Sequence, residues 1–322
     1  MALFTFNFDQ RIKWFLLTFI IGTGLFALYN FAIWKIEKDD PGGEFAAQKF
    51  WIDKIYPTKK YNAVFLGDSR CMNGINPAHL EEKLGKPAFN SGFLSGGINK
   101  IIFEHVETKL LSTSPDEPRC VVLSVTPVTI SNIGAKNEHF FSLFKTYKTR
   151  EIKDPEFLPF VFKKLNLKEI GILFGRGLSR SICHENGWHE LNRKIRMRSH
   201  RRALRYYGSD LLKRTHISQK NIDEILEQTG KWKKKNITVF AFYIPSSTQL
   251  QALEEAVPNW DMKKFKSQLE SAGGVYLEIP ERETYVGYDA VHLASADAER
   301  LSKVLAEQIC SHFDRQKATQ KK

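Results

Sequence analysis

Ala63-Val64-Phe65-Leu66-Gly67-Asp68-Ser69 is the stretch on which the reading of this chain turns. Four apolar residues closed by a turn read as a buried strand, and the serine stands at its carboxyl tip. Far downstream, Asp289-Ala290-Val291-His292 precedes the last amphipathic stretch, about Ala294 to Ile309. A serine hydroxyl at a sheet rim, and a histidine with an aspartate three residues earlier, are the parts that a nucleophile and its base require. Only a fold that returns its last loop to its first strand joins them.

Beyond this stretch, apolar strands alternate with helices. Pro77 to Leu84 reads as a short helix with Asn76 as N-cap and Gly85 as its stop. A second strand, Pro87 to Asn90, ends in Ser91-Gly92, and a helix about Asn99 to Leu111 leads to a third strand, Cys120 to Val125. From about 131 to 217 the alternation lapses, which predicts a mostly helical insertion over one edge of the sheet. It resumes with a helix at Gln219–Lys234, a strand at Ile237–Ile244, a helix at Met262–Ser271 and a strand at Val275–Ile279. Such alternation predicts an α/β fold: a three-layer parallel sheet covered on both faces. Ligands of such sheets bind beyond the carboxyl ends of the strands, where Ser69, Gly92 and Thr126 fall.

The 322 residues carry 26% charged and 42% hydrophobic side chains, which excludes a disordered or polytopic chain. The net charge of +12 implies an anionic surface nearby. Trp14 to Trp34 contains no charged residue, and its 21 residues match the length of helix that crosses a bilayer. Trp14, Tyr29 and Trp34 sit near its ends, where interfacial aromatics belong. No small-residue cleavage site follows, so the stretch is expected to anchor rather than to be removed. A short N-terminal tail and a large C-terminal domain predict a single-pass cell-membrane protein, its N-terminus cytoplasmic and its main domain periplasmic or extracellular. The expected divisions are a tail and anchor at 1–36, a linker at 37–60 with an amphipathic piece around Phe45 to Ile55, a globular domain at 61–312 and a disordered tail at 313–322. Cys71, Cys120, Cys183 and Cys310 show no Cys-x-x-Cys spacing, which argues against a zinc or redox motif, while their even number in an exported domain leaves a disulfide open.

These motifs, together with Asn90-Ser91-Gly92, resemble those of the SGNH hydrolases, also called GDSL-type esterases. The chain is most similar to their membrane-anchored cell-envelope branch, which includes the D-alanyl-transfer protein of teichoic acid modification and the alginate O-acetylation proteins. The resemblance covers about residues 61 to 130 and 218 to 310 and implies an SGNH-hydrolase-like, flavodoxin-like fold. It implies Ser69 as nucleophile, His292 as general base, Asp289 as its orienting carboxylate and Gly92 as a backbone oxyanion donor. The family's third block carries an Asn whose side chain also donates to the oxyanion; here Thr126 stands in its place. A lost oxyanion donor costs about 10²–10³ in rate, so Thr126, Asn132 or the insertion substitutes for it, or the site is slow. Arg70 has two readings, a contact to an anionic substrate group or a solvated helix-start residue. Asn186-Gly187-Trp188 is similar to a local pattern in related envelope proteins, and His184 and His189 beside it read as structural.

The segment from Arg193 to Arg205 places Lys194, Arg198, Arg201 and Arg205 along one stripe if helical. Beyond a membrane span, the partner of such a stripe is phospholipid or an anionic glycopolymer rather than nucleic acid; a plain solvated face is the other reading. The sequence carries no phosphate loop, zinc spacing or dinucleotide fingerprint, so no cofactor is expected. The expected function is that of a membrane-anchored serine acyl-esterase or O-acyltransferase, acting on a cell-envelope polysaccharide through an acyl-Ser69 intermediate. The resemblance further implies a polytopic membrane-bound O-acyltransferase as partner. The alternative is a non-catalytic envelope component that binds polymer or scaffolds such a complex.

Overall fold

The structure is a computed structural model that describes residues 8–114, 116–149, 181–192, 195 and 197–320. Two compact units are present. The first contains helix α1, Phe8–Asp39. Its stretch Ile12–Ile36 is long and apolar enough to cross a membrane, a property shared by an anchor and a signal sequence. Trp14, Phe19 and Ile20 each leave more than three-fifths of their surface exposed, as lipid-facing side chains do.

The second unit spans Lys49–Glu151 and Arg180–Lys322. Its frame is a five-stranded, wholly parallel sheet formed by β1 (Ala63–Leu66), β2 (Ala88–Asn90), β3 (Arg119–Ser124), β6 (Ile237–Phe242) and β7 (Val275–Tyr276), in the order β2-β1-β3-β6-β7. All four residues of β1 are buried because successive side chains enter opposite layers. Val64 and Leu66 join Val121, Leu123 and Val239 in one core, under Ile102, Phe103, Trp232, Phe265 and Leu269 from three helices. Ala63 and Phe65 join Val122, Phe240 and Phe242 in the other, under Leu80, Leu301, Leu305 and Ile309. Period-two alternation therefore splits each strand between two helical layers, the α/β architecture that the pattern predicts.

The helices also follow local rules. The helix Gln219–Lys234 starts on Ser218, whose hydroxyl accepts from the Asn221 N–H, and Ala78–Leu84 ends on Gly85 at φ +65°. Residues 44–55, placed in a linker by sequence, form helix α2, whose Lys54 and Ile55 are buried; its apolar face packs rather than connects. The described part of the 131–217 insertion holds helix α6 (Glu138–Thr146), helix α7 (Met197–Tyr206) and, against the helical expectation, an antiparallel hairpin of β4 (Ser181–Cys183) and β5 (His189–Leu191). Residues 150–180 lie outside the described residues. The final helix runs Ser295–Gln320, so residues 313–320 are helical where a disordered tail was expected; a growing helix propagates readily once its first turns are packed. All four cysteines are free thiols, so no disulfide closes the chain.

Trp232 fills the layer between the sheet and Phe103 and is 1% exposed. Trp232→Ala is expected to remove about 3–5 kcal/mol of stability, read as a lowered unfolding midpoint of the full chain in detergent.

Candidate active site

β1 ends in a turn with no room for a side chain: a Cβ on Gly67 would lie 2.7 Å from Cys71 Cβ and 2.9 Å from Ser124 Cβ. The chain reverses there into helix α3, Ser69–Gly74, capped by Asp68, whose Oδ1 accepts from the Arg70 N–H at 2.9 Å. Ser69 thus emerges half-buried at the rim of the sheet.

The loop before the last helix supplies its partners. Ser69 Oγ lies 2.9 Å from His292 Nε2, across 223 residues of chain. His292 Nδ1 lies 3.2 Å from Asp289 Oδ2, and Asp289 Oδ1 accepts from the N–H groups of Val291 (2.7 Å) and His292 (2.8 Å). Burial pushes the Asp289 carboxyl up, but the hydrogen bond and charge of His292 with those two N–H groups outweigh it and hold it below the usual aspartate range. The carboxylate is 8% exposed and the imidazole 20%, so the acid is shielded while the base stays accessible. The Tyr288 ring stacks beside His292 at 6.2 Å. Gly287 closes the loop, since a Cβ there would meet Asp289 O at 2.2 Å. Hydroxyl, imidazole and carboxylate form one hydrogen-bonded chain, able to move a proton off Ser69 onto Nε2.

Three other expected site residues take different places. Arg70 does not face solvent. It is 1% exposed, and its guanidinium meets Glu254 through two bonds of 2.7 and 3.2 Å and Asp68 at 3.4 Å. A charge so deeply buried must be paired, and Glu254, also bonded to Tyr243 Oη at 2.6 Å, does that. Gly92 lies beside α3, where a Cβ would come within 2.6 Å of Met72 N, but its N–H donates to Asn90 Oδ1 at 2.9 Å rather than standing free for an oxyanion. The Thr126 hydroxyl is wholly buried and donates to Asp68 Oδ2 at 3.3 Å, so it supports the helix cap instead of an oxyanion. Asn132 pairs with the backbone of His216.

Sequence reasoning missed two contributors. One is Glu254, on an unforeseen helix, α9 (Thr248–Glu255); its signal was Ser247, which caps the helix by accepting from the Leu250 N–H. The other is the hairpin. Asn186 O accepts from the Asn90 N–H, and Gly187, at φ +81°, lies so close to Asn90 O that a Cβ would reach 2.2 Å. Trp188 Nε1 donates to Asn73 O and His189 Nδ1 lies 2.8 Å from Asn73 Oδ1, both on α3. Glu190 accepts from the Ser295 hydroxyl, three residues beyond His292, and holds His184. The hairpin thereby ties the helix of the hydroxyl to the start of the helix behind the imidazole. His184 and His189 each have a hydrogen-bond partner within the protein, Glu190 and Asn73.

Arg198, Arg201, Arg202 and Arg205 of α7 line one surface cavity of about 500 Å³, while Ala203 and Leu204 pack against a cluster containing Val128, Leu250 and Val291. Arg193, Lys194 and Arg196 lie outside the described residues. A larger cavity, about 930 Å³, opens at the amino ends of β3 and β6 beside Arg119 and Ile237, away from Ser69. Comparison with protein-family models, with curated proteins and with solved structures finds no match.

Two outcomes follow. Glu254→Gln leaves the Arg70 guanidinium short of its main counter-charge and is expected to cost about 3–5 kcal/mol in denaturant unfolding. Because the folded Asp289 carboxyl titrates below its unfolded value of about 3.9, it stabilises above that pH and loses this as pH falls through the lower value. Asp289→Asn is therefore expected to lower the unfolding temperature at pH 7, with the gap to wild type closing below about pH 4.

Proposed function

We propose that this chain is a membrane-anchored serine acyl-esterase or O-acyltransferase of the SGNH type, acting on a cell-envelope polysaccharide. The observation that carries the reading is the unbroken chain Ser69 Oγ–His292 Nε2, His292 Nδ1–Asp289 Oδ2 at the carboxyl end of the first strand of a parallel sheet. In the proposed reaction Ser69 Oγ attacks the carbonyl carbon of an acyl ester and its proton passes to His292 Nε2. The bond from acyl carbon to the donor oxygen breaks, and that oxygen takes the proton from His292. A sugar hydroxyl or water then gives its proton to His292 and attacks the acyl-serine, and Ser69 Oγ leaves protonated. Asp289 fixes the Nδ1–H tautomer and offsets the imidazolium charge. The Ser69 N–H, in the first turn of α3 where N–H groups have no partner within the helix, is the proposed oxyanion donor.

The anchor of the proposed enzyme is α1, with its N-terminus in the cytoplasm and the second unit outside it, beside a membrane-bound O-acyltransferase that delivers acyl groups. Its arginine face on α7 meets the anionic polymer or anionic headgroups. A second reading, a non-catalytic component with the same architecture, is favoured by one observation: the Gly92 N–H and the Thr126 hydroxyl are both already bonded.

A fluorophosphonate probe separates the two. Wild type is expected to label at one site, Ser69→Ala to lose labelling, and His292→Ala to slow it by at least about 10³. An intact wild-type fold that takes no label leaves the scaffold reading.

A further inference from the structure

Lys54, on α2, is wholly buried, yet nothing in the proposed proton path uses it. Its Nζ donates to Gly92 O at 2.8 Å. The rest of the ammonium group is enclosed by aromatic rings: Phe50 at 4.7 Å, Phe93 at 5.6 Å, Trp51 at 5.9 Å and Phe89 at 6.0 Å from ring centroid to Nζ. Among the described residues no carboxylate pairs with it, and burial lowers its pKa to about 7. A lysine without a counter-ion in such a place costs stability, so its presence calls for a return in something else.

That return is visible in the hydrogen bonds beyond it. Gly92 O belongs to the peptide whose N–H, on Phe93, donates to Gly67 O at 3.1 Å. Two residues before Phe93, the Ser91 N–H donates to Phe65 O at 2.8 Å. Lys54, the Gly92–Phe93 peptide and Gly67 therefore form a line that ends at the turn presenting Ser69. Polarising a peptide at its carbonyl strengthens the bond its N–H makes. The same peptide unit follows the residue that packs against Met72 of α3. The cage holds the amine in place, and Lys54 O is itself fixed by His105 Nε2 at 2.9 Å.

We infer that Lys54 is a positioning residue: through the Gly92 carbonyl it clamps the loop after β2 onto the turn at Gly67, and so sets where the Ser69 hydroxyl stands. The role in reactivity rests on the serine-hydrolase reading; the clamp does not. Lys54 touches neither Ser69 nor His292, so it acts through geometry alone.

Lys54→Met fills the cage with an apolar chain of similar length and removes the donor; Lys54→Gln keeps a donor on a shorter stem. In the full chain in detergent, the exchange of the Phe93 amide is expected to quicken at least tenfold in K54M, with the amides of β1 and β3 unchanged. The rate of fluorophosphonate labelling at Ser69 is expected to fall at least tenfold, while the unfolding temperature stays level or rises because a buried amine is gone. K54Q is expected to lie between K54M and wild type on both measures, and keeps the test in force should K54M not fold. Wild-type Phe93 protection and wild-type labelling in either folded variant would overturn the clamp. A lowered unfolding temperature with uniformly faster exchange would overturn it as well, since that marks a merely structural lysine. Failure of the wild type to label, with Phe93 still deprotected in K54M, would remove the hydrolase reading and leave the clamp standing.

Discussion

A guanidinium with no access to water must find its counter-charge inside the protein, and Arg70 imposes that demand one residue after the candidate nucleophile. Asp68 alone does not meet it, because its Oδ1 is taken by the helix cap and its contact to Arg70 Nε is long. Glu254 completes the pairing from a separate helix, and Tyr243, just past the end of β6, holds Glu254 in turn. The turn after β1 is thereby bound to elements nearly two hundred residues further along the chain. A buried pair of this kind adds little net stability compared with an apolar substitute, but losing one member strands a charge. Its value here is geometric: it ties the residue after Ser69 to the helix of Glu254.

The same logic of distant elements meeting at one rim governs the rest of the site. The last loop returns to β1 because the final helix packs on Leu80 and the strand face of Phe65, and the register of that packing delivers His292 to Ser69. The hairpin at 181–191 then bridges α3 to Ser295, so the two halves of the hydrogen-bonded chain are braced from outside as well as from the core. Asp289 gains its low pKa from bonds within its own tight loop, which makes that half of the arrangement local and the other half long-range.

What was readable in the primary sequence divides along that line. The five strands were legible because each is a short apolar run closed by Gly, Asn or Pro, and β1 runs from Ala63 to Leu66 as read. Ser69, Asp289 and His292 were legible because their spacing relative to strand end and helix start is a local property. Glu254 was not, since an acidic residue on an amphipathic helix gives no sign that it will be wholly buried. The hairpin was not either: half of the residues of Ser181–Cys183 and His189–Leu191 are polar, and no turn-bounded apolar run marks them. The helical tail to Gln320 was missed because its exposed, polar face resembles that of a disordered end.

By itself the order of residues determined the α/β class, the candidate membrane-crossing helix and the identity of the hydroxyl, imidazole and carboxylate that meet. Only tertiary structure decided that Arg70 pairs inward, that the Gly92 N–H and the Thr126 hydroxyl are already spent on Asn90 and Asp68, and that a caged lysine holds the Gly92 carbonyl. The reason is physical: periodicity and capping act within a few residues, whereas the partner of a buried polar group is whatever polar group the packing of distant segments brings within three ångströms or so.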